Sequence, residues 1–440
     1  MVRSAGTSAI RPTTTLFLVI PAPAVFDTLG LALSTGAGKA RARWVHGFAW
    51  DAFWLQSALW LAPLAFLLAS GHEDPVESPL ELLVFGLTAL FWLSHRFGST
   101  WLAYATTAYR PLLRAEPARF VIVPIAIVAA CFAILLPADD ALPFTRSERV
   151  MALATADFVL VTYHFAAQHF GVLSLYRVHG GRIADPWMRR LDRLFALVVG
   201  GALVMVVEAV AETTMFQEMW VGPWLDPERL AGASGAMRAV ATVLLVALTL
   251  ALLVREARAP SVSIPRVLYI AGVAMMVYGG LHTDRPFLFV AVWTAQHWLA
   301  ATGLATRVAC AEPAPPNSPI WRALHTVNRR PWALLFVLGL LSILLLPVME
   351  VEAIKSEGTY YGDRIFGTLA VALRTSEWVP ALLALGFATG FLHYWLDRAV
   401  YRLSRPAVRT AARGLFLAGS PVKDSRGRKI CTRSNASESA

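Results

Sequence analysis

Apolar stretches of membrane-crossing length recur along the whole chain, near 15–34, 48–70, 79–108, 118–137, 150–176, 194–216, 236–254, 265–281, 287–306, 331–349 and 378–398. In hydrocarbon a backbone has no water to bond, so a run of about 18 or more apolar residues survives as a helix that satisfies its own N–H and C=O groups. The pattern predicts an all-α fold, a polytopic membrane helical bundle of about 11 transmembrane helices. Composition agrees: 57% of the 440 residues are hydrophobic and 15% charged, against about 25% charged in soluble domains. Residues 364–377 are only weakly apolar and read as a lead-in or a re-entrant piece.

Charge gives the orientation. Taking alternate connections, one set (35–48, 109–119, 177–193, 255–266, 307–331 and the tail from 398) carries 28 Lys and Arg, and the other carries 6. Positive charge stays on the cytoplasmic side, so the first set and the C-terminus are expected inside a cell membrane, as in a bacterial inner membrane. Eleven spans then put the N-terminus outside. The net charge of +10 is accounted for by these loops, and no nucleic-acid partner is implied. Residues 1–405 read as one multi-pass membrane domain, and 406–440 as a polar cytoplasmic tail expected to be disordered. Asp27 interrupts the first apolar run, so no cleavable signal is read there. Cys131, Cys310 and Cys431 are scattered and suggest no disulfide framework.

Against this background the segment VTYHFAAQHFGVLSLYR (161–177) is unusual, because it carries His164, Gln168 and His169 within an apolar span. Three other spans carry an imidazole: His95 in FWLSHRFGSTW, His297 in VWTAQHWLAATG and His393 in TGFLHYWLDRAVYR. All five histidines lie on spans running from outside to inside. Counted back from the next cytoplasmic arginine at about 1.5 Å per residue, they fall roughly 10–20 Å from the inner surface. A single intramembrane histidine is most simply an interhelical hydrogen-bond partner. Five at one depth on four helices suggest a shared ion, since neutral imidazole is the commonest metal ligand and polar groups at this depth usually mark function.

Spacing refines the site. His164 and His169 are five apart and diverge by roughly 140° on a regular helix. Both reach one centre only across a bulge; otherwise one is a ligand and the other supports it or faces substrate. Gln168 follows His164 at i+4, Gln296 adjoins His297, and Asp157 lies two turns before His164 on the same face. Asp397 follows His393 at i+4, where a carboxylate can set the imidazole tautomer or instead pair with Arg398 or Arg402. Glu208 and Glu212 form a further carboxylate pair nearer the outside, and Arg96 can pair with Asp51 or Asp157. Phosphate-binding, nucleophile-elbow, HExxH and dinucleotide fingerprints are absent from supporting contexts, and no lysine sits mid-span.

The elements HRFGSTWLAYATTAYR, YHFAAQHFGVLSLYR, AQHWLAATGLA and LHYWLDRAVYRLSRP resemble the histidine-bearing helices of the bacterial bacteriorhodopsin-related-protein-like membrane proteins. That family includes β-carotene dioxygenases that cleave carotene to retinal. The resemblance covers about a fifth of the chain and implies non-haem iron held by His95, His164, His169, His297 and His393. Spacing adds Asp397, Gln168, Gln296 and Asp157 as supporting groups, and the resemblance implies a lipid, isoprenoid or carotenoid substrate. Two other functions fit the same intramembrane polar groups: a proton-coupled transporter, or a bis-histidine haem protein.

Overall fold

The computed structural model describes residues 44–69, 79–182, 185–202, 227–282, 286–313, 318–343, 345, 368, 372–373, 375–416, 422–423 and 429–430. The expected span at 15–34, the outer half of 194–216 with Glu208 and Glu212, and most of 364–377 lie outside them. The described fold is helical throughout, apart from one antiparallel pair of two-residue strands, Val422–Lys423 and Lys429–Ile430.

The helices follow the apolar segments closely. They are α1 Phe48–Trp54, α2 Ala58–Ala69, α3 Pro79–Ala105, α4 Arg110–Ala115, α5 Ala118–Leu135, α6 Arg146–His179, α7 Pro186–Gly201, α8 Pro227–Ala257, α9 Ile264–Leu281, α10 Pro286–Cys310, α11 Pro319–Asn328, α12 Pro331–Ile343, α13 Val379–Val400 and α14 Pro406–Ala411. Among the described residues, five helices are long and apolar enough to cross a membrane: α5, α6, α9, α13 and the part of α8 from Gly235 to Ala257. Their outward side chains include Val159, Leu160, Val243 and Met275, as expected where the surroundings are apolar.

Local chemistry sets the boundaries. Helix α6 begins at a capping box, in which Thr145 accepts from the Glu148 backbone N–H and Glu148 returns a bond to the Thr145 N–H. Proline at the first turn opens α7, α9, α11 and α14. The apolar run at 48–70 is broken after Trp54, where Gln56 and Ser57 are buried. There Gln56 donates to the Pro265 carbonyl (3.0 Å) and Asp51 accepts the Val45 and His46 backbone N–H groups. A π-helical turn occurs at Ala118–Ile122, while α6 is regular through His164 and His169.

A buried ion network ties α6, α7, α8 and α9 together at their positively charged end. Arg266 binds Asp192 at 2.5 Å and Glu256 at 3.1 Å, Arg177 joins Asp192 at 3.2 Å, and Arg182 joins Glu256 at 2.6 Å. Desolvation of several charges is offset only when each has partners, and here every carboxylate has two.

The expected disorder does not hold for the first part of the tail, residues 406–416; most of the rest of 406–440 lies outside the described residues. Val408, Ala411, Ala412 and Leu415 are buried in the main core, because this short apolar stripe folds back onto α10. The approach is close: a side chain at Gly414 would lie 2.5 Å from the Arg307 carbonyl oxygen.

Candidate metal centre

Four helices deliver the imidazoles: α3 brings His95, α6 brings His164, α10 brings His297 and α13 brings His393. All four are buried. His164 Nε2 lies 3.2 Å from His297 Nε2 and 3.2 Å from His393 Nε2. His95 closes the other side, its ring centroid 5.3 Å from that of His297 and 4.4 Å from that of His393. The four rings therefore form a closed quadrilateral with His164 and His95 at opposite corners. Candidate ligand atoms of His95, His297 and His393 lie within 4.8 Å of one another, as do those of His164, His393 and Asp397.

The spacing fits a metal better than a hydrogen-bond chain. Imidazole nitrogens bound at about 2.0–2.1 Å stand about 2.8–3.4 Å apart for ligand angles of about 90–110°, and the two 3.2 Å separations fall there. Without an ion, the single His164 Nε2 must serve two neighbouring nitrogens, which one lone pair or one hydrogen does poorly. The outer nitrogens support inward-facing lone pairs. His95 Nδ1 meets the Trp92 carbonyl, which only accepts, so Nδ1 carries the hydrogen and Nε2 is left as a donor to a metal. His393 Nδ1 faces Asp397 Oδ1 at 3.5 Å and Ser99 Oγ at 3.5 Å. Among the described residues the buried His297 Nδ1 has no hydrogen-bond partner.

Asp397 also reaches His164 Nε2, at 3.7 Å. Among the described residues its ion-pair partners are these histidines, so pairing with Arg398 or Arg402 is not what the structure contains. A His and carboxylate donor set of this kind suits divalent iron among other borderline metals.

The remaining expected residues divide. His169 is buried but belongs to neither cluster; its Nδ1 meets the Tyr269 hydroxyl at 2.8 Å. The five-residue offset on an unbulged helix turns it away from His164. Gln168 donates to the His297 backbone carbonyl at 2.8 Å, which fixes α6 against α10. Gln296 reaches the Leu55 carbonyl at 3.5 Å and works in the scaffold. Asp157 is bonded by Tyr394 and feels the Arg96 charge, one layer from the histidines. Arg96 itself lies over the Trp92 ring (4.3 Å) and donates to the Gly386 carbonyl and Thr389.

Aromatic side chains that crowd the histidine-bearing segments pack on two of the rings: Phe165 stacks on His297 with centroids 3.9 Å apart and planes 12° from parallel, and Trp298 stacks on His95 at 5.8 Å. Sequence reasoning missed Ser99, which its i+4 spacing from His95 could have revealed.

A cavity of about 700 Å³ borders this centre, with His164, Gln168 and Asp397 in its wall. It lies between α5, α6 and α13, where α5 packs along α13 and touches α6 less. Helix α6 lines it from Leu153 to Leu175, a face roughly 33 Å long at 1.5 Å per residue. His164 stands at the midpoint, and the exposed Leu160 and Tyr163 mark the lateral opening.

Comparison with protein-family models, with curated proteins and with solved structures finds no match to this chain.

Proposed function

We propose that this chain is an integral-membrane, histidine-ligated non-haem iron oxygenase acting on a long apolar substrate of the lipid or isoprenoid class. The observation that carries the reading is the closed set of four imidazoles from four helices, one of which, His164, stands in the wall of an elongated cavity. The topology proposed with it is about eleven spans in a cell membrane with the C-terminus cytoplasmic, supported by the 28-to-6 division of Lys and Arg between alternate connections. The resemblance to the carotene-cleaving membrane family points the same way.

Iron bound there would supply the redox chemistry that activates O2. The chain's own residues do the rest. His95, His164, His297 and His393 would hold the ion, and Asp397 would either join them or orient His393. Phe165 and Trp298 keep two of the rings in place. The apolar walls exclude water and align the substrate along α6 with an interior bond opposite His164. Cleavage of one C=C by one O2 to two carbonyl groups balances without an external reductant, so such a reaction needs no electron-donating partner.

The geometry weighs against haem. Two axial nitrogens of one haem stand about 4 Å apart with a flat macrocycle between them, whereas here two further imidazoles occupy the space flanking His164. A proton relay leaves unexplained why three imidazole nitrogens from three helices converge to 3.2 Å separations.

Metal analysis of the purified chain tests the proposal. About one iron per chain, without haem absorbance and lost on His164→Ala, is the expected result; a metal-free chain with full activity would overturn it.

A further inference from the structure

We propose that the cavity takes an amphiphile, a long apolar chain in the cleft between α5, α6 and α13 with an anionic end group held by Arg398 and Arg402. This rests on reading the cavity as the substrate site. It departs from a pure hydrocarbon such as carotene, which has no charged end.

The lining is apolar along most of α5 and α6, yet it includes two exposed arginines where α13 ends. Among the described residues neither guanidinium makes an ion pair or hydrogen bond. The acids nearby are already engaged. Glu116 is bound by Arg405 at 2.5 Å and by Arg119 at 3.5 Å. Asp397, the one carboxylate in the lining, is turned to His393 and His164. Arg119 in turn stands within electrostatic reach of Arg402 and Arg405, so the rim is a cluster of cations with a single acid. A planar guanidinium binds carboxylate or phosphate bidentately. Two of them at the charged end of an apolar cleft match a carboxylate- or phosphate-ended chain.

The obvious competitor is contact with bilayer head groups that never enter the cavity. The test uses the full chain in phosphatidylcholine nanodiscs and reads quenching of Trp395, a lining residue, with Trp395→Phe subtracting the other tryptophans. The probes are a brominated C18 fatty acid, the corresponding alcohol and the monoalkyl phosphate. The acid or the phosphate is expected to bind at least about tenfold tighter than the alcohol, and whichever is tighter identifies the head group. In Arg398→Gln/Arg402→Gln the advantage should fall to about twofold or less while the alcohol is unaffected. Ala156→Trp, which fills the cleft, should abolish binding of all three.

Equal binding of acid, phosphate and alcohol would overturn the proposal. So would an advantage that survives the double arginine substitution, or binding that survives Ala156→Trp, which would place the contact in the bilayer. Each titration is run on chelator-treated and iron-loaded protein. A chain that takes up no iron yet prefers the anionic probe would sink the oxygenase alone; a chain that binds iron but is indifferent to the head group would sink this inference alone.

Discussion

His164 on α6 and His297 on α10, 133 positions apart in the chain, bring their Nε2 atoms to 3.2 Å. His393 makes the same approach to His164 from α13. One nitrogen thus faces two others across two helix interfaces, a geometry that an ion stabilises and that three neutral rings alone leave poorly paired.

His164 should therefore be the most sensitive ligand. His164→Ala removes the corner shared by both close contacts, and metal content should fall to background by atomic absorption. His169→Ala should leave metal content unchanged, because that ring bonds Tyr269 and stands outside the cluster. Equal loss in both variants would remove the distinction drawn between them.

Asp397→Asn keeps the shape but removes the charge facing His393 and His164. Carboxylates that orient ligating imidazoles typically contribute 10- to 100-fold in metal affinity. A drop of about that size is expected in competition with a calibrated chelator, and an unchanged affinity would assign Asp397 elsewhere.

The ion network beside α9 is a stability determinant independent of the centre. Arg266→Ala leaves Asp192 and Glu256 buried with one partner each. Removing one member of such a set costs about 3–5 kcal/mol. The midpoint of thermal unfolding in detergent should fall by several degrees, whereas iron per folded chain should not change.

His46, in the connection before α1, gives a pH signature. Burial, aided by the Arg307 charge, lowers its pKa from the ordinary 6.5 to about 4. The unfolded chain therefore takes up a proton below about pH 6.5 that the folded chain refuses until about pH 4. Stability should fall as pH drops across that window, and His46→Gln should flatten the dependence in thermal melts recorded from pH 7 to pH 4. A slope unchanged by the substitution would assign it to another group.

Much of the helical layout could be read from the chain. The ends of α5, α6, α9, α10 and α13 fall within a few residues of the apolar runs, because in hydrocarbon an unbroken apolar segment has only the helix available. The break at Gln56 and Ser57 was not readable, since it depends on an acceptor, the Pro265 carbonyl, more than 200 positions away. The docked tail was missed for a similar reason. Its stripe of Val408, Ala411 and Leu415 is too short to stand out in a polar stretch, and it becomes core only when Gly414 lets the backbone approach α10.

The sequence by itself pointed to histidines at one level on four helices, because helical rise converts residue count into height along a helix. Only the tertiary structure decided which of them meet. Rotation of each helix about its axis is set by packing against its neighbours, so His164 and not His169 turns to His297 and His393. The same packing turns Asp397 inward and leaves Arg398 and Arg402 at the rim.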